Sequence, residues 1–429
     1  MSDQKPAAQQ KTPAQAAETP QAPATAAQQT VPTEKPSTFA RIAGGGIGLS
    51  IGAALAAFIV GGILIAFTDP ATQAASKYFF ARPLDTISAA WSAAFDAYLA
   101  LLQGSVYNPN GRNFAQQIRP ITETLTVATP LIFAGLAVAL SFRAGLFNIG
   151  AQGQVILGAI VSAWVAINAG LPLIAMIPLI LISGILGGAI WGGIIGVLKA
   201  KTGAHEVILS IMMNYIAANL LVYLLKTPVL QAEGSSNPIS ESLEKNAIFP
   251  LLLGQPFRLH IGFLVALAAV AFVSWLLNRS TIGFRLRAVG ANPNAARTAG
   301  ISVASGYIIV MAISGALAGL AGATQVSGTE KVLTPGIAAS LGFDAITVAL
   351  LGRSTPLGTF FAALLFGAFR AGGVSMQVNT GTAIDIVLVL QALIVLFIAA
   401  PPLVRALFRL PDPSGKPKKK STQKKAVEA

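Results

Sequence analysis

The 429-residue chain has no cysteine and two histidines, His205 and His260, far apart in sequence. A disulfide framework and a thiolate metal site are therefore excluded, and a histidine-based metal centre is not expected. Charge is scarce as well. Asp, Glu, Lys and Arg make up 10% of the residues, against about 25% in a soluble domain. No GxxxxGK[ST] phosphate loop occurs, so nucleotide hydrolysis is not expected on this chain. The glycines of AGGGIGLS (43–50) open an apolar run with no strand before them, which removes a dinucleotide-binding reading. No Ser/His/Asp or paired-carboxylate arrangement stands out, and enzymatic chemistry is not expected.

Apolar side chains fill the space these absences leave. Hydrophobic residues account for 54% of the chain and the mean hydropathy is +0.68. The fold class is an all-α polytopic membrane protein. A spanning helix takes roughly 20 apolar residues, and the candidates are 42–67, 121–141, 150–169, 171–198, 206–225, 259–277, 304–324 and 382–400. In 343–371 the run FDAITVALLG is followed by Arg353-Ser354-Thr355-Pro356 and then LGTFFAALLFGAF. We read this as two short helices meeting at Arg353, which makes about ten transmembrane helices.

The formal net charge of +13 is carried mostly by the tails and by short loops between apolar runs. That distribution is a topology signal, and no nucleic-acid recognition module accompanies it, so nucleic acid is not expected as a partner. Ten spans put both termini on the cytoplasmic side together with Arg143, Lys199, Lys201, the 278–303 loop and Arg353, as the positive-inside rule asks. Residues 1–40, rich in Ala, Gln, Pro and Thr, read as a disordered cytoplasmic tail. The membrane domain covers 41–405. The segment 406–429, with KPKKKSTQKK, is a basic tail suited to anionic headgroups. Between the first two spans, 68–120 contains apolar residues interrupted by Lys77, Arg82, Asp85 and Asp96, a pattern of an interfacial or re-entrant helix. Residues 227–257 read as a surface loop.

Gly184, Gly188, Gly192 and Gly196 recur every fourth residue, and Gly315, Gly319 and Gly322 form a similar set; both read as smooth faces for close helix packing. Glu123, Asp344, Asp385 and Glu206 are placed near segment ends, where a carboxylate favours the helix dipole. That placement weakens an ion-coupled mechanism, which needs carboxylates at mid-membrane. Amides inside the apolar segments are costly and often functional. Phe147, Asn148, Gln152, Gln154 and Asn214 are the candidates for lining a path through the membrane, Phe147 as an aromatic stacking surface. Asn219 and Gln391 fit interhelical hydrogen bonding better. No strongly charged pocket is visible within the spans, which suits an uncharged, hydroxyl-rich solute.

Two segments carry a resemblance. RAVGANPNAARTAGI (287–301), a Gly-Ala-Asn-Pro turn leading into a small-residue helix, resembles the coupling loop of ATP-binding-cassette importer permeases of the branched-chain amino acid, ribose and nucleoside group. TPLIFAGLAVALSFRAGLFNIGAQGQVILGA (129–159) is similar to the signature stretch of the nucleoside-type permeases, with Gln152 where the family usually has glutamate. DAITVALLGRSTPLGTFFAALLFG (344–367) resembles the family's late small-residue turn. The resemblance covers residues 40–405. It implies a type II importer: ten helices per subunit, a second related permease completing a heterodimer, two cytoplasmic ATPases, an extracytoplasmic solute-binding lipoprotein, and location in a bacterial cell membrane. ATP-Mg would be bound by the partner ATPase, with no cofactor on this chain. The coupling helix would be Asn292–Gly300, and Arg287, Gly290, Asn292, Pro293, Ala295, Ala296 and Gly300 would carry ATPase coupling. The implied solute is a purine nucleoside, with ribose or another simple sugar as the alternative. An ion-coupled secondary transporter is the alternative of a different class.

Overall fold

A computed structural model describes residues 46–408. The expected disordered tail, the start of the first span and the lysine-rich end lie outside the described residues. Every regular element within them is helical, apart from one isolated antiparallel bridge between Leu251 and His260. In chain order the helices are α1 (Gly46–Thr68), α2 (Pro70–Ser76), α3 (Pro83–Ser105), α4 (Phe114–Arg143), α5 (Ala151–Asn168), α6 (Leu173–Thr202), α7 (Glu206–Leu224) and α8 (Gly262–Arg279). Then come α9 (Thr281–Ala291), α10 (Pro293–Thr298), α11 (Val303–Thr324), α12 (Leu341–Leu351), α13 (Pro356–Thr380), α14 (Asp385–Ala399) and α15 (Pro401–Phe408).

Seven of these helices are long and apolar enough to cross a bilayer, or up to nine spans if α1–α2 and α14–α15 each count as one bent span. The shorter α12, with 11 residues, rises only about 16 Å at 1.5 Å per residue and reaches half a bilayer. The expected pair of short helices around Arg353 is therefore corrected in its second member. Thr355 caps α13 by accepting from the Gly358 amide (3.2 Å), and Pro356 stands in its first turn. The helix then runs 25 residues to Gly381, whose φ of 68° ends it. Its length takes Arg370 inside.

The 68–120 region folds into α2 and the 23-residue α3. The Tyr98 hydroxyl donates to the Phe58 carbonyl of α1 (2.6 Å), and Thr124 of α4 donates to the Ser105 carbonyl (2.7 Å). Buried residues of α1, α3, α13, α14 and α15 form one apolar cluster, separate from the larger core around α4, α5, α6, α8 and α11. The 227–257 segment has no long helix, as expected, yet part of it packs inward: Ser240 donates its amide to the Leu333 carbonyl (3.0 Å) and Phe249 its amide to Ser327 (3.0 Å).

The two glycine rows meet each other. A Cβ on Gly188 of α6 would stand 2.1 Å from the Gly315 carbonyl oxygen of α11, and one on Gly319 would stand 2.0 Å from Gly184 O. Gly192 opposes Met311 O in the same way at 2.2 Å. Helix α5 joins this seam where Gly158 faces Gly319 and Gly322 faces Val155. Lipid gives helices no hydrophobic drive to associate, so the backbones gain their contact by dispersion at close range. Glycine every fourth residue is what lets them approach.

A candidate translocation path and its link to the basic elbow

Helix α4 ends at Arg143 and α5 begins at Ala151, and the chain between them is not helical. Gly145 makes the first turn with φ 72°. Such a break leaves amides and carbonyls without helical partners, and the polar side chains of the stretch attend to them. Asn214 of α7 accepts from the Gly153 amide (2.8 Å) and donates to the Ile149 carbonyl (2.9 Å). Asn148 donates to Ser314 Oγ of α11 (2.7 Å) and to Gln154 Oε1 (3.1 Å). The Ser314 hydroxyl in turn donates a hydrogen bond to the Ala137 carbonyl (2.7 Å). Asn148 and Gln154 have no exposed surface and Asn214 has 8%. Three of the five expected path residues thus spend their amides between helices. Phe147 is 40% exposed, with its ring centroid 4.9 Å from that of Phe142.

Gln152 reaches across to the broken segment before α12. Its amide donates to the Ala339 carbonyl (2.7 Å) and its carbonyl accepts from the Gly342 amide (2.8 Å). The N-cap residue of α12, Ser340, makes no side-chain cap bond, so a glutamine from another helix caps it. One donor and one acceptor are used together, which a neutral amide supplies and an ionised carboxylate does not.

At the Arg143 end of the bundle lies the basic elbow. Ser280 caps α9 through the Gly283 amide (2.9 Å). Asn292 caps α10 by accepting from Asn294 and Ala295 amides (3.0 and 3.1 Å), with Pro293 in the first turn. Ala296 packs with Val289 and Val303 in a small apolar cluster, and Gly300 turns the chain at φ 78°. Gly290 sits on the α4–α5 junction: a Cβ there would be 2.5 Å from Arg143 O and 2.8 Å from Gly145 N. Arg143 Nε in turn donates to the Ser354 carbonyl (2.8 Å), in a turn where Arg353 and Ser354 have φ near 50°. The elbow is therefore in backbone contact with the junction, and the Arg143 side chain ties the junction to the α12–α13 turn. Of the expected coupling residues, Gly290 and Ala296 hold the elbow together. Arg287, Asn292, Pro293, Ala295 and Gly300 are on its exposed side, with Phe284, 61% exposed, beside them.

At the opposite end, a cavity of about 590 Å³ opens between α4, α13 and α14. It corrects the expectation that no charged pocket lies within the spans. Arg119, Glu123, Arg258, Arg370 and Gln391 line it. Arg370, in the middle of α13, pairs with Asp344 and donates to Ser340 Oγ (2.6 Å). Arg119 and Arg258 both face Glu123, each at 3.6 Å. Glu123 lies well inside α4 rather than at its end, so its helix-terminus reading is also corrected. Asp344, Asp385 and Glu206 do occupy first turns, and Glu206 adds an ion pair to Lys199 (2.9 Å). Gln391, read from sequence as an interhelical hydrogen bonder, is 4% exposed and its Nε2 has no partner. An ionisable group inside an apolar run was the available signal for Arg370. For Arg119 and Arg258 there was none, because their grouping is tertiary.

A family model described as branched-chain amino acid transport system / permease component matches residues 121–399. The guanosine ABC transporter permease protein NupP of Bacillus subtilis is 41% identical over 285 residues, 66% of this chain and 82% of that protein. The glucose ABC transporter permease protein TsgB13 of Haloferax volcanii is 36% identical over 342 residues, 77% and 90% of the two chains. The nucleoside ABC transporter permease protein NupB of Lactococcus lactis subsp. cremoris is 35% identical over 319 residues, 72% and 87%. No solved structure matches. A helical, multi-pass architecture, a glycine-packed bundle and a match over this much of the chain lead to one conclusion: the protein belongs to the branched-chain amino acid transport system permease component family and is a membrane permease of the ATP-binding-cassette class.

Proposed function

We propose that this permease imports a purine nucleoside as one of two membrane subunits of an ATP-driven transporter. The observation that carries the mechanism is the backbone contact of Gly290 with Arg143–Gly145. It supports a transmission route in which the exposed face of α9–α10 rests on a cytoplasmic ATPase. ATP-Mg bound by that ATPase would close it and displace the elbow. Because packed helices shift as rigid bodies, the elbow would carry the α4–α5 junction with it, and through Arg143 the turn between α12 and α13. Both termini would then be cytoplasmic, and the cavity at the far end would face the side where a solute-binding lipoprotein delivers its cargo. A second, related permease would close the open side of the cavity.

In this reading Asn148, Gln154 and Asn214 keep the junction in one piece as it moves. Gln152 ties the half-length α12 to α5, and Phe147 lies where solute would leave. The names of NupP and NupB support a nucleoside. The comparable similarity to TsgB13 favours a simple sugar as the second reading.

The test is uptake of labelled guanosine, ribose, glucose and leucine by cells with and without the gene. Nucleoside uptake that stops with the gene, persists when ion gradients are collapsed and fails when ATP is depleted is expected. Uptake of glucose or ribose alone selects the sugar reading, and loss of uptake with the gradients selects an ion-coupled carrier.

A further inference from the structure

The cavity between α4, α13 and α14 has more polar capacity than the chain itself consumes. Arg119 Nε and Arg258 Nη1 stand 3.6 Å from the Glu123 carboxylate, beyond the 2.7–3.2 Å of an N–H···O bond. Glu123 Oε1 is buried without a hydrogen-bond partner, and so is Nε2 of Gln391, a residue 4% exposed. Buried polar atoms are normally satisfied, so this rim is built for something that brings both donors and acceptors. With Arg370 paired to Asp344 behind it, the rim offers two guanidinia, one carboxylate and one free amide N–H group. The remaining wall is aliphatic, with Val127, Val374, Val387 and Leu388, and suits a flat apolar face.

Those requirements select among uncharged solutes. A guanidinium donates well to the O6 and N7 acceptors of guanine, while adenine puts an N6 amino donor beside its N7. A carboxylate accepts from the N1–H and 2-amino group of guanine; adenine has no N1–H. A pyrimidine lacks N7. A hexose or ribose carries hydroxyls around its ring and lacks the planar edge of carbonyl, ring nitrogen and N–H that the two guanidinia and the carboxylate would read together. We propose that this cavity is a solute-binding site on the permeation path that takes a 6-oxopurine nucleoside. Arg119 and Arg258 meet its O6/N7 edge, Glu123 its N1–H edge, and Gln391 a ribose hydroxyl. The assignment rests on the importer reading. It adds a selective step within the membrane subunit, after delivery.

The experiment uses the membrane complex purified through the full-length chain and held in nanodiscs without any binding protein. Binding of labelled guanosine is measured against unlabelled inosine, adenosine, uridine and glucose. Saturable binding that inosine displaces is expected, with adenosine, uridine and glucose weaker competitors by about tenfold, the discrimination of one good bidentate pair. Glu123→Gln and Gln391→Leu, each checked for an unchanged gel-filtration profile, should weaken guanosine binding by about tenfold. A structural role for either residue would instead alter the profile and leave the competition order unchanged. The site is overturned if wild-type complex shows no saturable guanosine binding, if adenosine or glucose competes equally, or if well-folded variants bind as wild type does. Parallel uptake by intact cells separates the two ideas. Guanosine uptake without site binding sinks the cavity assignment alone, whereas absence of nucleoside uptake sinks the importer reading for nucleosides and the ligand class with it.

Discussion

The seam between α6 and α11 and the cavity between α4, α13 and α14 are both internal surfaces of one helical bundle, built in opposite ways. The seam has no side chains at its centre, and glycines let carbonyls approach until a single added Cβ would stand about 2 Å from Gly315 O or Gly184 O. Its energy is dispersion at short range, and any added atom is repelled by backbone that has nowhere to move. The cavity has an aliphatic wall with a rim of long charged and amide side chains, Glu123 facing two arginines and the Gln391 amide left over. The seam leaves no room for an added atom at Gly188, Gly315 or Gly319. The unspent hydrogen-bond capacity of the cavity rim is what supports the proposed solute site.

The largest effect is expected in the seam. Gly188→Leu drives a branched side chain into the Gly315 carbonyl and should cost about 3 kcal/mol or more, read as loss of a monodisperse, folded protein in detergent. Gly193→Ala, five positions along the same helix and off the glycine row, has its nearest neighbour 3.9 Å away at Ala312. It should leave thermal stability unchanged or slightly raised, since alanine favours helix. If both variants behave alike, packing along this row is not what distinguishes the seam.

Next comes the ion pair behind the cavity. Asp344→Asn strands the Arg370 guanidinium in a half-buried site and should cost about 2 kcal/mol, with transport lost as well. The double variant Asp344→Leu, Arg370→Met removes both charges and should regain stability over the single change without regaining transport. Recovery of transport would show that the pair only holds α12 to α13. At the junction, Asn148→Ala leaves Gln154 Oε1 buried without its donor, a loss of about 1–2 kcal/mol. Assembly and transport should then fall together, because Asn148 has no surface to offer a solute.

The smallest stability effect is expected on the elbow. Arg287→Ala and Phe284→Ser change exposed side chains and should shift stability by less than about 0.5 kcal/mol. Nucleoside uptake should nevertheless drop, with solute binding intact. An unchanged uptake rate would remove this face from the coupling surface.

Much of this contrast is legible in the sequence. The four-residue glycine rows announced close packing because a helix places every fourth residue on one face, and the two rows proved to be each other's partners. The helix start at Asn292-Pro293 and the break after Arg143 follow from local residue chemistry. The use made of the polar residues was less legible. Asn148, Gln154 and Asn214 read as path residues because amides are costly in an apolar setting, and that cost is equally met by neighbouring helices 60 to 170 positions away. Glu123 was read as a helix-end carboxylate and Gln391 as an interhelical hydrogen bonder, and Glu123 Oε1 and Gln391 Nε2 are left without hydrogen-bond partners.

The sequence by itself determined the class: a charge-poor chain of apolar runs about 20 residues long has to be a helical membrane protein, since lipid admits only helices and closed barrels and a barrel strand takes about 9–11 residues. It also determined the glycine faces and the elbow, which depend on periods and turns within single segments. Only the tertiary structure decided which amides lock helices together and which remain free. It alone brought Arg119, Glu123, Arg258, Arg370 and Gln391 to one wall. The reason is that hydrogen bonds and ion pairs are specified by distance in space, and residues from four separate stretches of chain carry no mark of one another until the helices have packed.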